Sequence, residues 1–158
     1  MKKTILFCGN GMSSEILSEI KRKYNILLIS EFDNDIGNKF VDYYIKANSK
    51  DPDEALRAAK TMKEKGYNFD AVLSLCWDSA ISVARIANYF NLFGISEEIA
   101  INSSDKAKRS LKFAEHNIDA PKYRVVRDEK ELINAALEIG FPLVIKPLNL
   151  SSSKGVIK

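Results

Sequence analysis

The sequence predicts an α/β fold in which a mostly parallel sheet is covered by helices on both faces. Short, continuously apolar runs at Thr4–Cys8, 26–29 and 71–75, with a weaker one at 41–45, are separated by segments with helical spacing. Continuous apolar runs are typical of strands that are covered on both faces. Repeated alternation of strand and helix implies right-handed crossovers and therefore a doubly wound, Rossmann-like layer.

Capping residues mark the helices between these strands. Residues 51–54, Asp-Pro-Asp-Glu, supply an N-cap, a proline at the first helical position and an acid at the third, and Gly66 closes the segment. An earlier helix follows the turn at residues 9–11, and a later one begins at Asp78 or Ser79 and runs to Phe90. The first domain is therefore expected to occupy residues 1–100.

A second unit is predicted over residues 101–158. It starts with a helix at 105–116 and a short strand at 123–126. A capping box of Asp128 with Glu131 then opens a helix that Gly140 ends, and strands follow at 143–147 and 156–158. A lone strand after a loop cannot form a stable sheet without partners, so either another strand of this chain pairs with it or the polypeptide continues past residue 158, and we expect continuation.

Composition excludes several classes of protein. The 158 residues are 46% hydrophobic and 28% charged, as in ordinary globular proteins, and no apolar run approaches the roughly 20 residues of a membrane span. Cys8 and Cys76 lie far apart without metal-ligand spacing, so we expect reduced, buried thiols in a cytoplasmic protein. The net charge of +3 is too small to indicate nucleic-acid binding.

The positive charge is concentrated in the second unit, where 11 Lys and Arg stand against 7 Asp and Glu. Three features there could bind an anion. Lys106 opens a helix with Lys108 and Arg109, Lys146 lies on an apolar strand, and residues 151–155 form a serine-rich loop whose amides could bind phosphate oxygens. Taken singly, a solvated helix face, an edge lysine in water and a mobile linker explain them as well.

The order of these features closely resembles the ATP-grasp superfamily, in the branch shared by biotin carboxylases and the large subunit of carbamoyl-phosphate synthase. The resemblance is carried by Asp105-Lys106, Ala120-Pro121, the stretch Ala-Leu-Glu-Ile-Gly-Phe-Pro-Leu-Val-Ile-Lys-Pro at 136–147, and Ser-Ser-Ser-Lys-Gly-Val at 151–156. It covers residues 103–158 with specific motifs. Residues 1–100 correspond to the Rossmann-like domain that precedes the ATP-grasp domain in that family.

The resemblance implies a ligase that uses ATP to activate a carboxylate as an acyl phosphate, which an amine or another nucleophile then attacks. Lys106 and Lys146 would contact the ATP phosphates, with Lys146 also near the adenine. The loop that would close over the β- and γ-phosphates consists of Ser151, Ser152, Ser153, Lys154 and Gly155, and it is poorer in glycine than many relatives. The resemblance also implies Mg²⁺, held by carboxylates downstream of this chain, and leaves a homodimer open.

A second interpretation is a stand-alone Rossmann-like module that binds a nucleotide or NAD without catalysis. The turn Gly9-Asn10-Gly11 after a strand, with Glu31 or Asp33 after the next strand, is similar to a dinucleotide fingerprint, although Ser14 replaces its third glycine. We expect Trp77 to pack beside a helix start and His116 to interact with a helix end.

Overall fold

The computed structural model describes residues 2–9, 12–33, 39–75, 78–150 and 153–158. The chain divides into two compact units, unit 1 at residues 1–100 and unit 2 at residues 101–158. Within the described ranges, no helix is both long enough and apolar enough to cross a membrane.

Unit 1 contains the parallel sheet that the sequence predicts. Its strands are β1 (Thr4–Cys8), β2 (Asn25–Ser30), β3 (Tyr43–Lys46) and β4 (Ala71–Leu73), in the spatial order β3-β2-β1-β4 with parallel pairing throughout. The chain builds outward on one side of β1 and then returns to place β4 on the other side. This is the strand order of half a doubly wound fold, so the predicted fold class is confirmed.

The helices of unit 1 are α1 (Ser14–Lys23), α2 (Pro52–Glu64) and α3 (Ala80–Tyr89). The predicted cap of α2 forms, since the Asp51 carboxylate accepts hydrogen bonds from the amides of Asp53 and Glu54 at 2.9 and 3.0 Å. A further helix, α4 (Glu97–Ser104), was not predicted. Its sequence signal was Ser96, whose hydroxyl accepts a hydrogen bond from the amide of Ile99.

The core of unit 1 lies on both faces of the sheet, as alternation along the strands requires. Leu6, Leu27 and Ile29 pack in one cluster with small and apolar residues of α2 and α3, among them Ala55, Ala59, Met62 and Ile86. Phe7, Ile26 and Leu28 pack in the other cluster with Leu17 of α1. The carboxyl ends of β1 and β2 are thereby held at one edge of a rigid sheet.

Unit 2 contains α5 (Lys106–Glu115) and α6 (Glu129–Ile139). Asp128 caps α6 by accepting from the amide of Glu131, but the Glu131 side chain accepts from the amide of Arg127 rather than that of Asp128. The predicted capping box is therefore half correct. Among the described residues of unit 2, Ala135 alone is buried.

The strands predicted in unit 2 are largely absent. Residues 123–126 form no strand, and 143–147 and 156–158 are reduced to one antiparallel bridge between Ile145 and Ile157. A strand needs a partner for its amides and carbonyls, and the described part of unit 2 offers one only at this bridge. The prediction of a strand at 123–126 was wrong for this chain.

Candidate functional site

The amino end of α5 has no unused backbone amide at its first three positions. The amide of Lys106 donates to the carbonyl of Leu148 at 3.1 Å. The next two amides, of Ala107 and Lys108, donate to the Asp105 carboxylate at 2.8 and 3.0 Å. An anion at this helix end would therefore be bound by side chains, because the amides that usually bind phosphate are already occupied.

The Lys106 ammonium contacts the segment that leads into the serine-rich loop. It donates to the backbone carbonyls of Leu148 at 3.2 Å and Leu150 at 2.6 Å. The side chain of Lys108, two residues along the helix, is exposed. Two residues 42 and 44 positions away in sequence thus lie at the beginning of α5, which the order of motifs alone did not indicate.

Lys146 lies in the first of two paired segments, which we call the arms: residues 145–150 and residues 153–157. The arms are joined by two backbone hydrogen bonds, from Ile145 to Ile157 at 2.8 Å and from Ile157 back to Ile145 at 2.9 Å. Lys146 follows the bridge directly and is exposed. Its ammonium can therefore meet a ligand from solvent, and its backbone is held by the neighbouring bridge at Ile145.

The second arm contains the described end of the serine-rich loop. Ser153 and Gly155 have positive φ angles of 58° and 69°, and the amide of Val156 donates to the carbonyl of Ser153 at 3.3 Å. A Cβ atom placed on Gly155 would lie 2.9 Å from Cγ of Pro147 in the first arm. Glycine is therefore needed here both for its conformation and for the close approach.

The structure thus places Lys106 against the first arm, and Lys146 and Gly155 within the two arms. Lys154 is exposed on the second arm, while Ser151 and Ser152 lie outside the described residues. Ammonium groups, a hydroxyl and backbone amides are the donors that phosphate oxygens require, so the set fits a polyphosphate chemically. No group of three His, Cys, Asp or Glu side chains suited to a metal ion occurs among the residues that the structure describes.

In unit 1, the two acidic residues that the dinucleotide interpretation needs, Glu31 and Asp33, already have side-chain partners. The Ser49 hydroxyl donates to the Glu31 carboxylate at 3.2 Å, and Asp33 forms an ion pair with Lys46. A carboxylate that binds a ribose must accept from the ribose hydroxyls instead. Asn10 and Gly11 of the predicted turn lie outside the described residues.

Two hydroxyls at the beginning of α3 are buried, and one of them belongs to a residue at the expected helix start. The Oγ atoms of Ser79 and Ser82 are buried, and neither has a hydrogen-bond partner among the described atoms. Ser79 occupies the predicted N-cap position but makes no side-chain capping bond. Trp77, expected to pack nearby, lies outside the described residues, as does Cys76.

The other singled-out residues have structural roles. Cys8 is a free, buried thiol whose pKa is raised to about 12 by burial, so it is not a nucleophile at neutral pH. His116 ends α5, where its Nδ1 lies 2.9 Å from the carbonyl of Lys112. Sequence reasoning also missed Arg85, which bonds the Glu97 carboxylate through Nε at 3.0 and 3.1 Å and forms an ion pair with Asp53.

No protein-family model matches the chain. A formate-dependent phosphoribosylglycinamide formyltransferase from Prochlorococcus marinus subsp. pastoris is 30% identical over an alignment of 159 positions, which covers 97% of this chain and 39% of that protein. The crystal structure of phosphoribosylglycinamide synthetase from Anaerococcus prevotii is 26% identical, with a TM-score of 0.70, over 95% of this chain and 38% of that one. The chain belongs to the ATP-grasp superfamily.

A further ATP-grasp structure, an ADP complex of N5-carboxyaminoimidazole ribonucleotide synthetase, has a TM-score of 0.75 over 98% of this chain and 40% of that one. At 18% identity, this likeness shows the fold alone. The chain spans about two fifths of the length of the formyltransferase described above, since the alignment covers 39% of that protein. The expectation that the sequence resembles the front part of an ATP-grasp enzyme is confirmed.

Proposed function

We propose that this chain is the amino-terminal part of an ATP-dependent ligase that joins a small-molecule carboxylate to an amine or another nucleophile. The similarity extends over 97% of the chain to a formyltransferase that is named for its dependence on formate, a carboxylate. It also extends over 95% of the chain to a synthetase. The observation that carries the proposal is the contact of the Lys106 ammonium with the arm that leads into residues 151–155.

The proposed reaction has two balanced steps. A carboxylate oxygen attacks the γ-phosphorus of ATP, the bond from that phosphorus to the β–γ bridging oxygen breaks, and ADP leaves. The nucleophile then attacks the carbonyl carbon of the acyl phosphate, inorganic phosphate leaves, and a proton passes from the nucleophile to solvent or a base. Negative charge grows on the phosphoryl oxygens in the first step, so donors fixed around them lower its barrier.

In this proposal, Lys106 and Lys146 bind the phosphates as point charges. Ser151, Ser152, Ser153, Lys154 and Gly155 would surround the β- and γ-phosphates with hydroxyl and amide donors. The close approach of Gly155 to Pro147 holds the end of that loop against the arm that carries Lys146. Binding energy would come mainly from charge-assisted hydrogen bonds, which are about twice as strong as neutral ones.

Mg²⁺ would supply further charge neutralisation between the phosphates when it is bound. Its ligands belong to carboxylates outside this chain in our proposal. We further propose that residues 1–100 form the domain preceding the ATP-grasp domain, that residues 101–158 begin the latter, and that the protein works in the cytoplasm. Without the remaining ligands we expect purified residues 1–158 to show no ATP hydrolysis, and turnover by this chain would contradict that expectation.

Calorimetry on the intact protein tests the nucleotide site. We expect Lys146→Ala to weaken Mg·ATP binding roughly tenfold or more, because one charge-assisted phosphate contact contributes about 1.5–3 kcal/mol. Lys130→Ala is the matched control, since Lys130 is an exposed lysine on α6 of the same unit. Circular dichroism should show that both variants are folded. Equal affinity of the two variants would overturn the proposed role of Lys146.

A further inference from the structure

The ammonium of Lys106 is engaged by backbone oxygens rather than free for a ligand. Its Nζ lies 3.2 Å from the carbonyl oxygen of Leu148 and 2.6 Å from that of Leu150, and the second distance is short for a hydrogen bond of this type. The backbone amide of the same residue also donates to Leu148. One residue thus ties the first arm to α5 through both its main chain and its side chain.

These contacts compete with phosphate for the donors of the same ammonium group. Carbonyl oxygens carry partial negative charge, so two of them beside the ammonium repel a phosphate that approaches its remaining N–H. The neighbouring cation Lys108 is more exposed than Lys106, and the exposed guanidinium of Arg109 contacts the carbonyl of Ser103 at 3.5 Å rather than the first arm. Lys106 is therefore the cation of this helix end that is already committed to the arm.

We propose that Lys106 is a positioning residue: in the nucleotide-free protein its ammonium holds the first arm against α5, so that Lys146 and the Ile145–Ile157 bridge lie in a fixed place. A polyphosphate that binds here must share or displace this contact, which couples the position of the arm to occupancy of the site. Only this second consequence rests on the proposed function. The positioning role itself is a property of the chain without nucleotide.

Amide hydrogen exchange followed by NMR on residues 1–158 tests the positioning role. Lys106→Met keeps most of the side-chain volume but removes the ammonium, and we expect the amides of Ile145 and Ile157 to exchange roughly fivefold to tenfold faster. Amides within α6 should be unaffected. Lys106→Arg should restore most of the protection, because a guanidinium also offers several donors to the two carbonyls.

Lys108→Met is the matched control, since it removes a positive charge from the same turn of α5 where the side chain is exposed. Equal exchange at Ile145 and Ile157 in wild type and Lys106→Met would overturn the proposal. So would an equal acceleration by Lys108→Met, because the effect would then come from charge at the helix end rather than from the two carbonyl contacts.

Tripolyphosphate added to the intact protein separates this proposal from the proposed function. If calorimetry shows binding, exchange at Ile145 or Ile157 should change in wild type and change less in Lys106→Met. Binding with identical responses in both proteins would overturn the coupling. If tripolyphosphate and Mg·ATP both fail to bind while Lys106→Met still accelerates exchange, the proposed function fails and the positioning role stands.

Discussion

Replacing Gly155 with alanine should separate the two arms without removing any charge. Gly155 has φ of 69°, and an added Cβ would meet Cγ of Pro147 at 2.9 Å. A left-handed conformation costs a non-glycine residue about 1–2 kcal/mol, and an overpacked contact costs about 1–3 kcal/mol. Among the described residues, two backbone hydrogen bonds join the arms at the bridge, each contributing about 1 kcal/mol.

The expected cost of Gly155→Ala, roughly 2–5 kcal/mol, therefore equals or exceeds the stabilisation that the two bridge hydrogen bonds contribute. Gly155→Ala should relieve the strain by opening the arms, so the amides of Ile145 and Ile157 should lose most of their protection against hydrogen exchange. Thermal unfolding of the core of unit 1 should change little. In the intact protein, Mg·ATP affinity should fall, because the loop end no longer rests on Pro147.

Gly140→Ala is the matched control for this substitution. Gly140 has φ of 86°, but an added Cβ would have no atom within 4 Å, so it shares the conformational cost and lacks the clash. Adding Pro147→Ala to Gly155→Ala should restore part of the protection by removing the ring. If Gly155→Ala leaves the two bridge amides as protected as in wild type, the close approach that supports the arms is refuted.

Two further predictions concern unit 1. Glu97→Gln should lower the free energy of unfolding by about 1 kcal/mol at pH 7, because Glu97 accepts hydrogen bonds from both Nε and Nη2 of the partly exposed Arg85. The exposed neighbour variant Glu98→Gln should be neutral. Hydrogen bonding to Arg85 lowers the pKa of Glu97, so the stabilisation from this contact is present above the unfolded pKa of about 4.3 and is lost as the pH falls through the lower folded value. In urea titrations, the difference in unfolding free energy between wild type and Glu97→Gln should therefore be smaller at pH 3 than at pH 7. An equal difference at the two pH values would contradict the prediction. In a Cys76→Ser background, Cys8 should react with a thiol reagent at pH 8 about a thousandfold more slowly in the folded protein than in urea, because burial raises its pKa to about 12. Equal reaction rates in the folded protein and in urea would contradict the burial of Cys8.

The sequence was sufficient for unit 1 because each signal there was local and consistent. Four apolar runs and the Asp51 cap produced the parallel sheet and α2 at nearly the expected bounds. α4 was missed because its amphipathic pattern is weak and only Ala100 is buried. The Ser96 cap was visible in the sequence, but there was no apolar stripe to support it.

Unit 2 was harder because a strand depends on residues that pair with it. The apolar pattern at 123–126 has the right composition for a strand, yet no partner lies among the described residues. The Lys106 contacts were beyond sequence reasoning for a different reason. Backbone carbonyls such as those of Leu148 and Leu150 have no residue-type signature, so the type of the partner residue gives no hint of the contact.

The convergence of Lys106 and Lys146 on one polyphosphate is tested most directly by an acyl phosphate derivative of ATP, which transfers its acyl group to lysines near the terminal phosphate. With the intact protein, mass spectrometry should find both lysines acylated, both protected by excess Mg·ATP, and Lys130 unaffected by that competition. If neither lysine is acylated above the level of Lys130, or if excess Mg·ATP protects neither, the two ammonium groups do not share a nucleotide and the proposed site is wrong.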